Sequence, residues 1–116
     1  MHTNNENILV LITAKQQSKQ CIAWGYDMAK ACAGQLYVLH IADGTQTSDM
    51  EQIQTLAEYV CSLGGQFSFL WDSEPACAIQ KFVEQNKITK ILTEQMQQPQ
   101  AVSEKTADLI KGSLIA

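Results

Sequence analysis

An open α/β sheet with helices on both faces is the fold this sequence predicts. Two observations carry the prediction. Short apolar runs recur at 8–12, 36–41, 67–71 and 88–93, and the segments between them place apolar residues at helical spacing. Strands alternating with helices in this way build a parallel sheet with right-handed crossovers. At 116 residues the chain makes one domain, long enough for a core of its own.

The first strand is the unbroken run Ile8-Leu9-Val10-Leu11-Ile12, and the polar loop Thr13-Ala14-Lys15-Gln16-Gln17-Ser18 hands it to the first helix. In that helix Cys21, Gly25, Met28 and Cys32 form a stripe, with Ile22, Ala29 and Ala33 beside it. Ser18 is placed to cap the helix, because its hydroxyl can take an orphan amide of the first turn. Gly34 is placed to end it in the left-handed conformation. The second strand, 36–41, closes on His40-Ile41. A loop at 43–48 follows, then Ser48 or Asp49 as cap of a helix with Ile53, Leu56, Val60 and Leu63 on one face, ended by Gly64-Gly65. After the third strand, Asp72-Ser73-Glu74-Pro75 reads as a helix start, with a cap residue, an acid and a Pro suited to the first helical position. Ala76, Ile79, Phe82 and Val83 are the buried face of that helix, and Asn86-Lys87 leads into the fourth strand. Beyond Thr93 come a Gln-rich connector at 94–100, a helical stretch near 103–111, and the end Gly112-Ser113-Leu114-Ile115-Ala116. Residues 1–7 are expected to be a flexible tail and 94–102 a mobile connector.

Composition removes several classes of function. Hydrophobic content of 46% with 17% charged residues is ordinary for a globular chain. The net charge is −4 and the lysines are scattered singly, so no basic patch for nucleic acid forms. The N-terminus has no basic cluster ahead of a long apolar run, which argues against a signal peptide. No segment approaches the roughly 18 apolar residues of a membrane span. A cytoplasmic protein is the expectation. The four cysteines show no C-x-x-C and no histidine at a zinc-ligand spacing, so they are expected to be reduced, structural and within helices, with no metal bound. Asp72 with Glu74, or Glu94 with Asp108, has no spacing that fixes an acid/base pair. G-x-S-x-G, H-E-x-x-H and a Gly-rich loop ending in Lys-Ser or Lys-Thr are all missing from the sequence. The chain is not expected to be an enzyme.

The opening of the chain carries a resemblance. An apolar strand, a short loop, then Ser18 and Trp24-Gly25 inside the first helix fall at the spacing found in the universal stress protein family. Gly34-Gln35-Leu36-Tyr37-Val38-Leu39-His40-Ile41 resembles that family's second strand, and the turn before Pro75-Ala76 and the strand Ile88-Thr89-Lys90-Ile91-Leu92 fit as well. Within the family, Leu36-Tyr37-Val38-Leu39-His40, Leu56-Ala57-Glu58 and Ile88-Thr89-Lys90-Ile91 resemble the stress-protein-like domain of potassium-responsive sensor histidine kinases. The resemblance implies an open parallel sheet of strand order 3-2-1-4, like that of the adenine-nucleotide alpha hydrolases, with the C-terminal strand missing or replaced. The chain ends one turn after Gly112-Ser113, where the family continues into a last helix and a fifth strand. Either 103–111 closes the sheet in their place or the fourth strand is an open edge, which would favour a homodimer.

In such sheets ligands bind where the first strand meets its helix. The family's nucleotide-binding members carry an Asp at the end of that strand, where this chain has Thr13, and the Gly-Ser that usually follows is Ala14-Lys15. Their Gly-x-x-Gly phosphate loop after the fourth strand is replaced by Glu94 and Gln97, with Pro99 nearby. Gly112-Ser113 resembles the surviving Gly-Ser that offers amides to phosphate. The resemblance therefore implies a nucleotide fold whose triphosphate site is largely dismantled. ATP or another nucleotide is not favoured as a resident cofactor. The candidate ligand-binding residues are Thr13, Ala14, Lys15, Ser18, His40, Ile41, Gly112 and Ser113. Lys15 and Ser18 could hold an anion at the helix start, against the plainer reading of an exposed lysine and a capping serine. His40 could meet a base or accept a proton, although a histidine there more often simply packs. Packing is also the expectation for Trp24 and Trp71. The expected function is a non-catalytic stress-response or signalling module, acting as ligand sensor or dimerisation module. Alternatives are a nucleotide-binding regulatory domain of a sensor kinase and, more weakly, a slow nucleotidase.

Overall fold

A computed structural model describes residues 6–12, 18–42, 50–71, 74–93 and 100–101 of the chain. In chain order these form β1 (Asn7–Ile12), α1 (Ser18–Ala31), β2 (Gln35–Ala42), α2 (Met50–Ser62), β3 (Gln66–Trp71), α3 (Pro75–Gln85), β4 (Lys90–Thr93) and β5 (Gln100–Ala101). The sheet order is β3-β2-β1-β4-β5. β1 pairs in parallel with β2 and β4, and β2 in parallel with β3, so the 3-2-1-4 arrangement holds. No helix among the described residues is long and apolar enough to cross a membrane.

Why the chain folds so is visible in the alternation of β1. Ile8, Val10 and Ile12 join Leu36, Val38 and Leu92 in a core closed by Cys21, Ile22 and Ala29 of α1 and by Leu56 and Val60 of α2. The intervening Leu9 and Leu11 join Leu39 and Ile91 on the other face, covered by Ile79 and Phe82 of α3 and by Ile88. A strand apolar at every position must be buried on both faces, and β1 lies between β2 and β4 with helices above and below. Lys19 of α1 reaches over the Tyr59 ring of α2 at 5.0 Å and ties the two helices of one face together.

Several local expectations are corrected. The described part of α1 starts at Ser18, which is fully buried in its first turn. The left-handed residue after α1 is Ala33, at φ 54°, not Gly34. Gly34 is needed for another reason: a Cβ there would lie 1.7 Å from the Glu6 carbonyl oxygen, which accepts from the Gln35 amide at 3.1 Å. At the start of α3 the cap position belongs to Glu74, which makes no side-chain cap bond, and Pro75 follows it. Asp72 and Ser73 lie outside the described residues, as do Ser48 and Asp49. Of the predicted first-helix stripe, Met28 and Cys32 are only half-buried, and Ala33 beside it is exposed. None of the four cysteines is in a disulfide, but only Cys21 is buried; Cys61 and Cys77 are exposed, and Cys32 sits just past the end of α1. Asn7 opens β1, and its side-chain amide donates to the carbonyls of Asn86 at 3.0 Å and Lys87 at 3.1 Å.

The outer edge of β4 is partly covered. β5, inside the segment expected to be a mobile connector, pairs antiparallel through Lys90↔Ala101 and Ile91↔Gln100. This pairing takes up the first half of β4 and weakens the open-edge argument for self-association. Leu92 and Thr93 lie beyond it.

Candidate functional site

The four parallel strands point the same way, so Ile12, Ala42, Trp71 and Thr93 end on one edge of the sheet. Chain order runs from β1 outward through β2 to β3, then returns past β1 to β4. The direction reverses between β1 and β4, and the crevice at such a reversal is where open α/β sheets bind ligands. α1 begins at this same edge, because it follows β1.

His40 stands beside Ile12 in the β1–β2 register and is buried, at 5% exposure. Its Nδ1 lies 2.9 Å from the Ile12 carbonyl oxygen. A carbonyl can only accept, so the imidazole proton is on Nδ1 and, in the neutral ring, Nε2 is the acceptor. The ring also packs against Phe69, its register partner on β3, at 5.4 Å between centroids and tilted by 49°. His40 thus caps the last carbonyl of β1 and holds the ends of β1 and β2 together. Of its possible roles, the structural one is already filled by Nδ1, and Nε2 is the atom left for a ligand.

Ser18 and His40 belong to the side of the sheet covered by α1 and α2. Ser18 has an interaction of its own. Ile41 belongs to the opposite side, half-buried against the core under α3. The three described candidates, Ser18, His40 and Ile41, are therefore not gathered on one wall. Thr13, Ala14, Lys15, Gly112 and Ser113 lie outside the described residues, as do Glu94, Gln97, Pro99 and Asp108.

Thr93 was not singled out from the sequence. It closes β4 opposite Leu11 of β1 and is 6% exposed. Its Oγ1 is buried and has no hydrogen-bond partner among the described residues. By strand alternation Thr93 shares the face of Ile91, with Leu9 and Leu11 beside it. A hydroxyl ending the apolar pair Ile91-Leu92 was the signal that could have found it.

The opposite edge of the sheet holds a second polar group. The Glu6 carboxylate meets the Lys90 ammonium at 3.0 Å. This bond, followed by one from the Cys32 thiol, lowers the Glu6 carboxyl below its ordinary value, and the same carboxylate raises the Cys32 thiol. Glu6 and Lys90 lie at the starts of β1 and β4, and their ion pair fastens the two strands. No group of three or more His, Cys, Asp or Glu side chains that could hold a metal occurs among the described residues.

No protein-family model matches the chain, and no curated protein matches it in sequence. Solved structures do match in fold. A universal stress protein family member from Burkholderia pseudomallei superposes with a TM-score of 0.61 at 10% identity, over 97% of this chain and 93% of that one. A universal stress protein from Archaeoglobus fulgidus DSM 4304 gives 0.59 at 16% identity, over 76% of this chain, and the match spans only 32% of that protein. A third, the universal stress protein from Archaeoglobus fulgidus in complex with dAMP, gives 0.54 at 15% identity, covering 79% of this chain and 82% of that one. At such identities the likeness establishes a shared fold.

Proposed function

We propose that this chain, which carries the fold of the universal stress proteins, is a non-catalytic sensing module with a reduced nucleotide site at the β1–β4 reversal. The observation that carries the reading is Thr93, a buried hydroxyl without a hydrogen-bond partner among the described residues, at the ligand edge of that fold. His40 supports it from β2, on the far side of β1, with Nδ1 spent on Ile12 and Nε2 left as acceptor. The relative in complex with dAMP makes an adenine nucleotide the first ligand class to test. Glu94 and Gln97, where nucleotide-binding relatives are expected to have glycines, disfavour a triphosphate: side chains block close backbone approach, and the acid repels phosphate.

Signalling would follow by population shift, the nucleotide favouring whichever arrangement it contacts better. The sequence likeness of β2, α2 and β4 to potassium-responsive kinases makes a regulatory domain of a sensor kinase the natural setting for such a module.

The test is thermal unfolding with AMP, dAMP and ATP at millimolar concentration. A ligand at ten times its Kd adds about 1.4 kcal/mol to stability. AMP or dAMP is expected to raise Tm, and ATP to raise it no further. A Tm rise with ATP well above that with AMP at equal concentration would overturn the reduced site, and no rise with any of them would remove the ligand.

A further inference from the structure

We infer that Thr93 is a specificity residue, its hydroxyl reading an uncharged polar group on the nucleoside part of the ligand. The inference rests on the nucleotide reading above and goes further, by assigning which end of the ligand meets β4. A polar group buried without a partner is a standing cost to the folded chain, and a protein keeps such a group most readily where something else pairs with it. Thr93 Oγ1 is such a group among the described residues. Its place is also telling: it is the last register position of the β1–β4 ladder, at the edge where ligands enter such sheets.

The surroundings decide the kind of ligand atom. Leu9, Leu11, Leu39 and Ile91 line the Thr93 side of the sheet, with Ile79 and Phe82 of α3 above them. In that apolar setting a phosphate oxygen would be stripped of water with only a neutral hydroxyl in exchange, a heavy penalty for a charged group. The next residue in the chain is the acid Glu94, which adds repulsion. A base edge or a ribose hydroxyl carries no such penalty. A threonine hydroxyl both donates and accepts, so it can pair with either. β5 pairs only with Lys90 and Ile91, so its ladder stops short of Thr93. His40 is one strand beyond β1, roughly 10 Å from the β4 line by ordinary strand spacing, and on the other face. A ligand meeting both would therefore have to lie across the end of β1.

The experiment compares the wild-type protein with Thr93→Val and Thr93→Ser, measuring Tm without ligand and affinity for AMP and for adenosine. Thr93→Val keeps the shape and removes the hydroxyl. It is expected to raise the ligand-free Tm, because an unpaired polar group has gone, and to weaken AMP and adenosine by the same factor, about tenfold for one hydrogen bond. Thr93→Ser keeps the hydroxyl and should keep both affinities within about threefold, on the same scale. A lower ligand-free Tm for Thr93→Val would show the hydroxyl serving the fold and overturn the inference. So would unchanged affinities, or a loss confined to AMP, which would place the phosphate at Thr93. If the wild type binds neither AMP nor adenosine, the nucleotide reading falls and takes this assignment with it. A wild type that binds beside a Thr93→Val that binds equally well sinks the assignment alone.

Discussion

Gly25→Ala is the perturbation that probes how α1 meets the sheet. Gly25 is buried in α1, and a Cβ there would lie 2.4 Å from Val10 Cγ2 and 3.3 Å from Leu36 Cδ1. Val10 is fully buried in the central strand and β-branched, so it has little freedom to swing away. Alanine gains about 1 kcal/mol of helix propensity over glycine. Forcing a methyl into a filled core costs about 1–3 kcal/mol, and so close a contact belongs at the upper end. The net expectation is a loss of about 2 kcal/mol. Urea unfolding followed by circular dichroism measures it, as a lower midpoint at unchanged slope. In a double-mutant cycle Val10→Ala should absorb most of the Gly25→Ala penalty, because the new methyl enters the space vacated. A Gly25→Ala protein as stable as wild type, or more so, would refute the close approach of α1 to β1.

Three further outcomes follow from local geometry. Ala33→Gly should stabilise by about 0.5–1 kcal/mol in the same assay, since the residue sits at φ 54° where a side chain is strained. His40→Leu should destabilise by about 1–3 kcal/mol, because it strands the Ile12 carbonyl that Nδ1 now meets. Glu6→Gln should change the pH profile of Tm on its acid side. The Glu6 carboxyl is lowered by the Lys90 ammonium and then by Cys32, so its contribution is fully present above the ordinary carboxylate range near pH 4.3 and is lost as pH falls through the lowered value. The variant should lose less stability over that acid limb than the wild type does.

The strand order was readable through the family resemblance, and the place of β1 inside the sheet agrees with its unbroken apolar run 8–12, which a strand buried on both faces requires. The stripe Ile53, Leu56 and Val60 was readable because helical period and burial coincide there. Other features depended on contacts distant in sequence. Gly34 looked like a helix stop, yet what demands glycine is the Glu6 carbonyl from before β1. Cys61 and Cys77 share a residue type with Cys21 but fall on exposed helix positions, and a count of cysteines cannot tell them apart. β5 is only a two-residue strand in a Gln-rich stretch, held by β4 and not by any pattern of its own. At the site, His40 was placed correctly at the end of β2, but its bond to Ile12 depends on strand register. Thr93 stood unremarked because the hydroxyl that ends the apolar pair Ile91-Leu92 does not by itself say that its hydrogen bond is unmet.

The ligand edge itself can be read residue by residue with backbone amide NMR during titration with AMP and then with ATP. The account predicts the largest shift changes at Ile12, His40, Ile41 and Thr93, with ATP binding no more tightly than AMP. Shifts centred on Glu6, Cys32 and Lys90 at the opposite edge, or ATP binding far more tightly than AMP, would contradict it.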